Sequence, residues 1–139
     1  MNILIIDGQG GMLGSQLVKE ILSKLPEVTI TAVGTNAVAT ASMLKAGATV
    51  GATGENPVIV GSRKADVIIG PVGIVIADSL AGEITPKMAM AVGQANAVRI
   101  LIPMNKCENM VASVPDLNMG ALIGDAIAKL RHIVEKNLS

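Results

Sequence analysis

Residues 2–14 read NILIIDGQGGMLG: an apolar run, an aspartate, and then four glycines within seven residues. An uninterrupted apolar run of this kind is typical of a strand buried on both faces of a parallel sheet. Beyond the glycines, Leu13, Leu17, Ile21 and Leu25 recur with helical spacing. Glycines let a phosphate group approach the backbone closely, and the N-terminus of a helix attracts anions. These residues therefore predict a strand, a phosphate-binding turn and a helix.

The remaining sequence repeats the alternation of strand and helix. Further strands are predicted at residues 28–33, 48–52, 66–70 and 98–102, with 109–114 as a candidate sixth. Helices are predicted after the turn at Gly34-Thr35-Asn36 to about Ala46, after Pro71-Val72-Gly73 through Ala81, from Thr85-Pro86 onward, and from Asn118 onward. Residues 55–64 combine a helix-start signal, Asn56-Pro57, with β-branched residues, and we interpret them as a short helix.

This alternation predicts an α/β fold: a doubly wound, Rossmann-like, mainly parallel sheet of five to six strands. The length of 139 residues fits one domain spanning residues 1–139.

Composition excludes several classes of protein. The chain has no Phe, Tyr or Trp on which bases could stack, and its eleven basic residues balance eleven acidic ones. Both features argue against nucleic-acid binding. No apolar stretch approaches the ~20 residues of a membrane span. A single cysteine, Cys107, fits a reducing cytoplasm. Because half of the residues are hydrophobic and few are charged, we expect a homo-oligomer, by default a homodimer.

In such folds, ligands bind outside the carboxyl ends of the strands, where strand order reverses, here between the first and fourth strands. The spacing of Gly8, Gly10 and Gly14 is G-x-G-x-x-x-G, one residue longer than the usual dinucleotide fingerprint. The glycines could instead serve only a tight turn and close helix packing; that alternative stays open beside phosphate binding. The predicted cofactor-binding residues are Gly8, Gln9, Gly10, Gly11, Gly14, Thr35, Asn36, Gly70 and Gly73.

The second strand lacks the acidic residue that usually holds the ribose of NAD, and it has no nearby arginine for a 2′-phosphate. Thr35 and Asn36 stand there instead. Either residue could bond a ribose or phosphate, or cap the following helix. The ligand is expected to be NAD(P) or another adenine nucleotide, with classical NAD specificity in question.

Four residues near these loops are catalytic candidates: Asp78, Glu83, Lys106 and Cys107. A carboxylate beside an apolar helix could act as an acid or base, and Lys106 could neutralise a phosphate. Cys107 needs a neighbouring base, and the sole histidine, His132, is far along the chain. One cysteine and one histidine cannot form a structural zinc site, so no metal is expected.

Several motifs resemble a small, uncharacterised bacterial family of Rossmann-like proteins. They are DGQGG (residues 7–11), GTNA (34–37), MLKAGA (43–48), GATGEN (51–56), GPVGIVIA (70–77) and GEITPKM (82–88). The resemblance extends from the N-terminus to about Cys107. It implies the fold and supplies neither an activity nor site residues.

Three functions follow as hypotheses. The first is a nucleotide-binding regulatory or partner module, because the sheet uses the whole chain and leaves no second domain for a substrate. The second is a small enzyme, NAD(P)-dependent or acting on a phosphorylated metabolite, with a site completed across a dimer interface. The third is a structural or interaction protein that binds no ligand.

Overall fold

The computed structural model describes residues 1–104, 109–115 and 117–138. Five parallel strands form one sheet in the order β3-β2-β1-β4-β5. The strands are β1 (Asn2–Asp7), β2 (Thr29–Gly34), β3 (Val50–Thr53), β4 (Val67–Pro71) and β5 (Val98–Ile102). The helices are α1 (Met12–Lys24), α2 (Ala37–Lys45), α3 (Glu55–Lys64), α4 (Pro86–Gln94) and α5 (Met119–Leu138).

Helices cover both faces of the sheet, which confirms the doubly wound α/β fold. Alternate residues of β1 enter two separate apolar cores: Ile3 and Ile5 pack with α1, α2 and α5, whereas Leu4 and Ile6 pack with α3 and α4. This alternation follows from the two-residue period of a strand. Strand order reverses between β1 and β4, as predicted, so the carboxyl ends of these strands meet at the switch point.

The predicted sixth strand is wrong. Residues 109–114 form no strand, and Ser113 adopts a left-handed conformation with φ of 63° inside a turn. Met110 is 96% exposed, so this segment gains no burial that would hold it against β5.

The predicted helix through Ala81 is also wrong. A single 3₁₀ turn, Val72–Val75, follows β4, and the chain then turns irregularly until α4. Asp78, Leu80 and Ala81 have φ of 66°, 55° and 56°, which no right-handed helix accommodates.

Residues 55–64 form the predicted helix, but its start differs in detail. The N-cap is Gly54, so Pro57 is the third helical residue and not the first. Proline is still tolerated there, because the first-turn N–H groups have no partner within the helix. At α4 the prediction holds: the Thr85 hydroxyl accepts from the Met88 N–H at 3.2 Å, and Pro86 is the first helical residue. None of the described helices meets the length and hydropathy needed to cross a bilayer.

Candidate functional site

Asp7 holds the two ends of the glycine turn through its side chain. It ends β1 and is buried, and its Oδ1 accepts from the Gly8 N–H at 2.8 Å while Oδ2 accepts from the Gly14 N–H at 2.7 Å. Burial raises the pKa of the Asp7 carboxyl, although the two N–H bonds oppose the rise; the nearby Glu83 charge adds to it. Both carboxylate oxygens are engaged, so Asp7 shapes the turn and does not face a ligand.

Two of the predicted loop glycines are required by packing. A Cβ at Gly14 would lie 2.9 Å from Asp7 Cβ and 2.5 Å from Met43 Sδ. Gly11 has φ of 74°, and a Cβ there would lie 2.8 Å from Ala39 Cα. These glycines serve the turn and its contact with α2, as the alternative interpretation of the motif allowed.

Gly10 differs from its neighbours because a Cβ on it would meet nothing within 4 Å. The Gly10 carbonyl accepts from Ser42 Oγ at 3.1 Å, which ties the turn to α2. Within the described residues, the N–H groups of Gly10, Met12 and Leu13 have no acceptor, whereas those of Gly11, Gly14 and Ser15 are bonded to the turn itself. The turn therefore combines open space with unpaired donors at the start of α1.

Glu83 reaches this turn from the segment before α4. Its Oε1 accepts from the Gln9 N–H at 3.0 Å, from Asn36 Nδ2 at 2.9 Å and from the Thr35 hydroxyl. Burial favours the neutral acid, but the three hydrogen bonds outweigh it and hold the pKa of Glu83 below its usual range. Oε2 has no hydrogen-bond partner among the described residues. One oxygen is thus fixed while the other stays available.

Thr35 and Asn36 follow the end of β2 and complete the cluster. Asn36 Oδ1 caps α2 by accepting from the Ala39 N–H at 2.9 Å, while its Nδ2 also donates to the Gln9 carbonyl at 3.0 Å. The Thr35 N–H donates to the Asp7 carbonyl at 3.0 Å. Asn36 therefore caps a helix and holds the glycine turn at once.

The second strand has no acidic residue of its own, but the fold brings the Glu83 carboxylate to its end. Glu83 lies at the end of β2, hydrogen-bonded to Thr35 and Asn36, where a ribose-binding acid usually stands. Sequence reasoning named Glu83 only as a possible acid or base near an apolar helix. Its link to the glycine turn spans 74 residues and passes through irregular chain, so no periodic signal could reveal it.

The β4 side of the switch point is closed by the chain itself. Leu80 is 2% exposed and lies between the two glycine turns: a Cβ at Gly8 would be 3.1 Å from Leu80 Cδ1, and one at Gly73 would be 3.7 Å from Leu80 Cδ2. The Gly73 carbonyl accepts from Ser79 Oγ, and a Cβ at Gly70 would collide with the Ile6 carbonyl. Gly70 and Gly73 thus contact the protein's own residues.

Of the four catalytic candidates, Asp78 and Glu83 lie within the described residues. Asp78 is exposed on the irregular segment, whereas Glu83 belongs to the cluster above. Lys106 and Cys107 lie outside the described residues. No group of three His, Cys, Asp or Glu side chains that could hold a metal ion occurs in the part of the chain that the structure describes.

The chain belongs to a family described as a domain of unknown function (DUF3842), whose sequence model matches residues 2–135. A search of curated proteins gave no match.

Proposed function

Because the family assigns no activity, we propose from the geometry alone that the switch point binds a ribonucleotide. The chain then acts as a nucleotide-responsive regulatory or partner module. The observation that carries this proposal is the Glu83 carboxylate at the end of β2, fixed through Oε1 and open at Oε2.

Glu83 is suited to the hydroxyl groups of a ribose. A carboxylate accepts hydrogen bonds from hydroxyls without donating any, and bonds to a charged acceptor are stronger than neutral ones. Because Oε1 is already held by three donors, Oε2 loses little freedom when a hydroxyl binds. The same negative charge repels a 2′-phosphate, and residues 7–14, 35 and 36 include no lysine or arginine to offset it. The site therefore favours a ribose with free hydroxyls over the ribose of NADP.

The phosphate is assigned to the glycine turn. The unpaired N–H groups of Met12 and Leu13 belong to the first turn of α1, and that of Gly10 lies just before it, where the helix dipole favours negative charge. Asp7 takes only the Gly14 N–H of this helix and leaves the first two helical N–H groups free. Gln9 links the ribose side of the site to the phosphate side. Its N–H donates to Glu83, and the next residue is Gly10, which faces open space.

The closed β4 side limits the ligand to one nucleotide unit. In a dinucleotide site, the pyrophosphate crosses the switch point toward the second half of the sheet. Leu80 fills that path between Gly8 and Gly73. A mononucleotide such as AMP needs only the β1–β2 side, so it fits without displacing Leu80.

Calorimetric titration with AMP tests the proposal. We expect the wild type to bind AMP, and Glu83→Gln to weaken binding roughly tenfold or more, the size of a lost charge-assisted hydrogen bond. Glu27→Gln is the matched control, because Glu27 is exposed and lies outside the cluster. AMP lacking the 2′- and 3′-hydroxyls should lose affinity in the wild type and not in Glu83→Gln.

Two outcomes would contradict the proposal. The first is no heat of binding for AMP, GMP or UMP at millimolar concentration. The second is equal affinity in wild type and Glu83→Gln. The enzyme hypothesis with Lys106 and Cys107 stays a prediction, since both residues lie outside the described part of the chain.

A further inference from the structure

We propose that two copies of this chain associate through the edge strand β5, which pairs antiparallel with β5 of the second copy about a two-fold axis at Ile100. The two sheets then become one continuous sheet. This proposal is independent of the nucleotide site.

The free edge of β5 presents unpaired backbone groups. The Val98 N–H donates to the Asp66 carbonyl at 3.1 Å, so the backbone groups of Val98, Ile100 and Ile102 face β4. By the alternation of a strand, those of Arg99 and Leu101 face away from it. No described residue bonds the outward N–H groups of Arg99 and Leu101.

These groups complement themselves under two-fold symmetry. With the axis at Ile100, Arg99 stands opposite Leu101 of the second copy, and Leu101 opposite its Arg99. Each pair exchanges both of its N–H and C=O groups, which gives about four hydrogen bonds. Counting only the residues of β5, an axis at Arg99 or Leu101 would give about two. Pro103 has no N–H, so pairing cannot extend far beyond Ile102.

Within the described residues, the edge of β5 lacks the features that usually protect edge strands from pairing. Inward or outward charges, most often lysine, serve that purpose. Here Val98 is 50% exposed, and the only charged residue of β5, Arg99, turns its guanidinium back onto the carbonyls of Val92, Ala95 and Ala97 at 3.3, 2.8 and 3.3 Å. Arg99 thus caps the end of α4 and leaves the edge open.

The surface beside the edge has complementary charge. A groove of about 580 Å³ runs between β5 and α5, and Asp125 and Lys129 line it from α5, one helical turn apart. A two-fold axis sets α5 antiparallel to α5 of the second copy, which brings Asp125 toward the second copy's Lys129 and the reverse. Within one chain the two side chains already pair with each other, Lys129 Nζ to Asp125 Oδ2 at 2.5 Å. Both remain more than half exposed, so each charge can also reach the opposite charge of a second copy.

A second copy fits this edge better than the chain's own segment at residues 109–114. In the described structure those residues contain a turn and no strand, and Met110 is almost fully exposed. A strand from another protein need not be self-complementary to pair with this edge. If such a strand were the true partner, the purified protein would not self-associate in the experiments below.

Cross-linking tests the register. In a Cys107→Ser background, Ile100→Cys places a thiol on the axis, in a non-hydrogen-bonded antiparallel pair whose Cα atoms are about 4.5 Å apart, within reach of a disulfide. We expect dimers in sedimentation velocity and, on non-reducing gels, an oxidised dimer of the Ile100→Cys variant. Glu27→Cys, exposed and far from β5, should not cross-link at the same concentration. A monomer at high concentration, or a dimer that does not cross-link through position 100, would overturn the proposal.

Charge reversal is the second test and does not depend on the buried Ile100 position. Asp125→Lys or Lys129→Asp alone should raise the dimer dissociation constant several-fold by placing like charges together, and the double reversal should restore it. Glu20 and Lys24 on α1 form a matched i,i+4 pair at 3.2 Å, so their reversal controls for helix effects. Single reversals that leave dimerisation unchanged, or reversals on α1 with the same effect, would contradict the assigned axis.

Discussion

Glu83 connects the segments that form the candidate site. It gathers a backbone donor from the glycine turn and two side-chain donors that follow β2, so it joins three separate segments with one carboxylate oxygen. Asp7 instead uses both of its carboxylate oxygens within one segment, to hold the Gly8 and Gly14 N–H groups at the two ends of the glycine turn. The pKa values of the two acids shift in opposite directions. Burial raises the pKa of Asp7, whereas at Glu83 three hydrogen bonds together outweigh burial and lower the pKa.

Glu83→Gln should change how stability depends on pH. Because the pKa of Glu83 is lowered in the folded protein, its ionised form stabilises the fold above the ordinary value of 4.5, and that contribution is lost as pH falls through the lowered pKa. Urea unfolding of wild type and variant from neutral pH to about pH 3 measures this. We expect the difference in the free energy of unfolding to shrink in acid. A difference that is constant over this range would contradict the shift.

Asp7→Asn should show the opposite pH dependence. An asparagine oxygen can accept from only one of the Gly8 and Gly14 N–H groups, so we expect a loss of about 1–3 kcal/mol in unfolding free energy. Because the pKa of Asp7 is raised on folding, wild-type stability declines as pH rises above 3.8 through the raised value. The deficit of the variant should therefore be largest near pH 4 and smaller at neutral pH. A deficit that grows with pH would contradict burial as the dominant cause.

At the scale of elements, the glycine turn contains two kinds of glycine: Gly14 is packed against other residues, whereas Gly10 faces open space. Gly14→Ala should destabilise the fold by about 1–3 kcal/mol, because its Cβ collides with Asp7 Cβ and the Met43 side chain. Gly10→Ala should change stability by less than about 0.5 kcal/mol, yet weaken AMP binding by crowding the open side of the turn. Thermal unfolding and calorimetry measure the two effects. Equal stability losses in both variants would contradict the distinction.

The irregular segment between β4 and α4 is the second element that forms the site. It is held by bonds such as those of the Asp78 N–H to the Ile84 carbonyl at 2.7 Å and the Ile84 N–H to the Ser79 carbonyl at 3.2 Å. Its left-handed residues turn the chain so that Leu80 lies under the glycine turn and Glu83 reaches β2. The conformation of this segment thus decides which half of the crevice is open.

Ala81→Gly tests the strain in this segment. Ala81 is exposed and has φ of 56°, where a non-glycine residue costs roughly 1–2 kcal/mol. Glycine removes that cost but gains freedom in the unfolded chain, so we expect a net stabilisation of about 0.5–1 kcal/mol. Chemical denaturation provides the measurement, and Ala41→Gly, in the middle of α2, is the contrasting control that should destabilise. A destabilised Ala81→Gly variant would exclude left-handed strain at this position.

At the scale of the molecule, the elements predicted correctly from the sequence are those with a regular apolar pattern or a clear capping signal. Buried strands such as β1 and β4 are visible in the sequence as apolar runs, and the capping residues at Thr85-Pro86 mark the start of α4. The patterns failed after β4, where an apolar composition suggested a helix but the chain packs Leu80 and Ile84 through irregular turns. They also suggested a sixth strand at residues 109–114, where the apolar side chains remain largely exposed.

The candidate site was only partly predictable for the same reason. The location of the glycine turn and its neighbours Thr35 and Asn36 follows from strand order, since the carboxyl ends of β1 and β2 adjoin. The arrival of Glu83 depends on the three-dimensional course of the irregular segment. A long-range carboxylate of this kind leaves no local signature in a single sequence.

Nucleotide binding at the glycine turn is measured most directly by a two-dimensional ¹H–¹⁵N NMR titration of the labelled protein with AMP. We expect the backbone signals of Gly10, Met12 and Leu13 and the side-chain amide signals of Asn36 to shift together and saturate. Glu83→Gln should weaken the whole response. Unchanged signals at these positions would contradict nucleotide binding at the glycine turn. So would the largest shifts falling elsewhere, such as the groove that Pro57 and Val60 of α3 line beside β2 and β3.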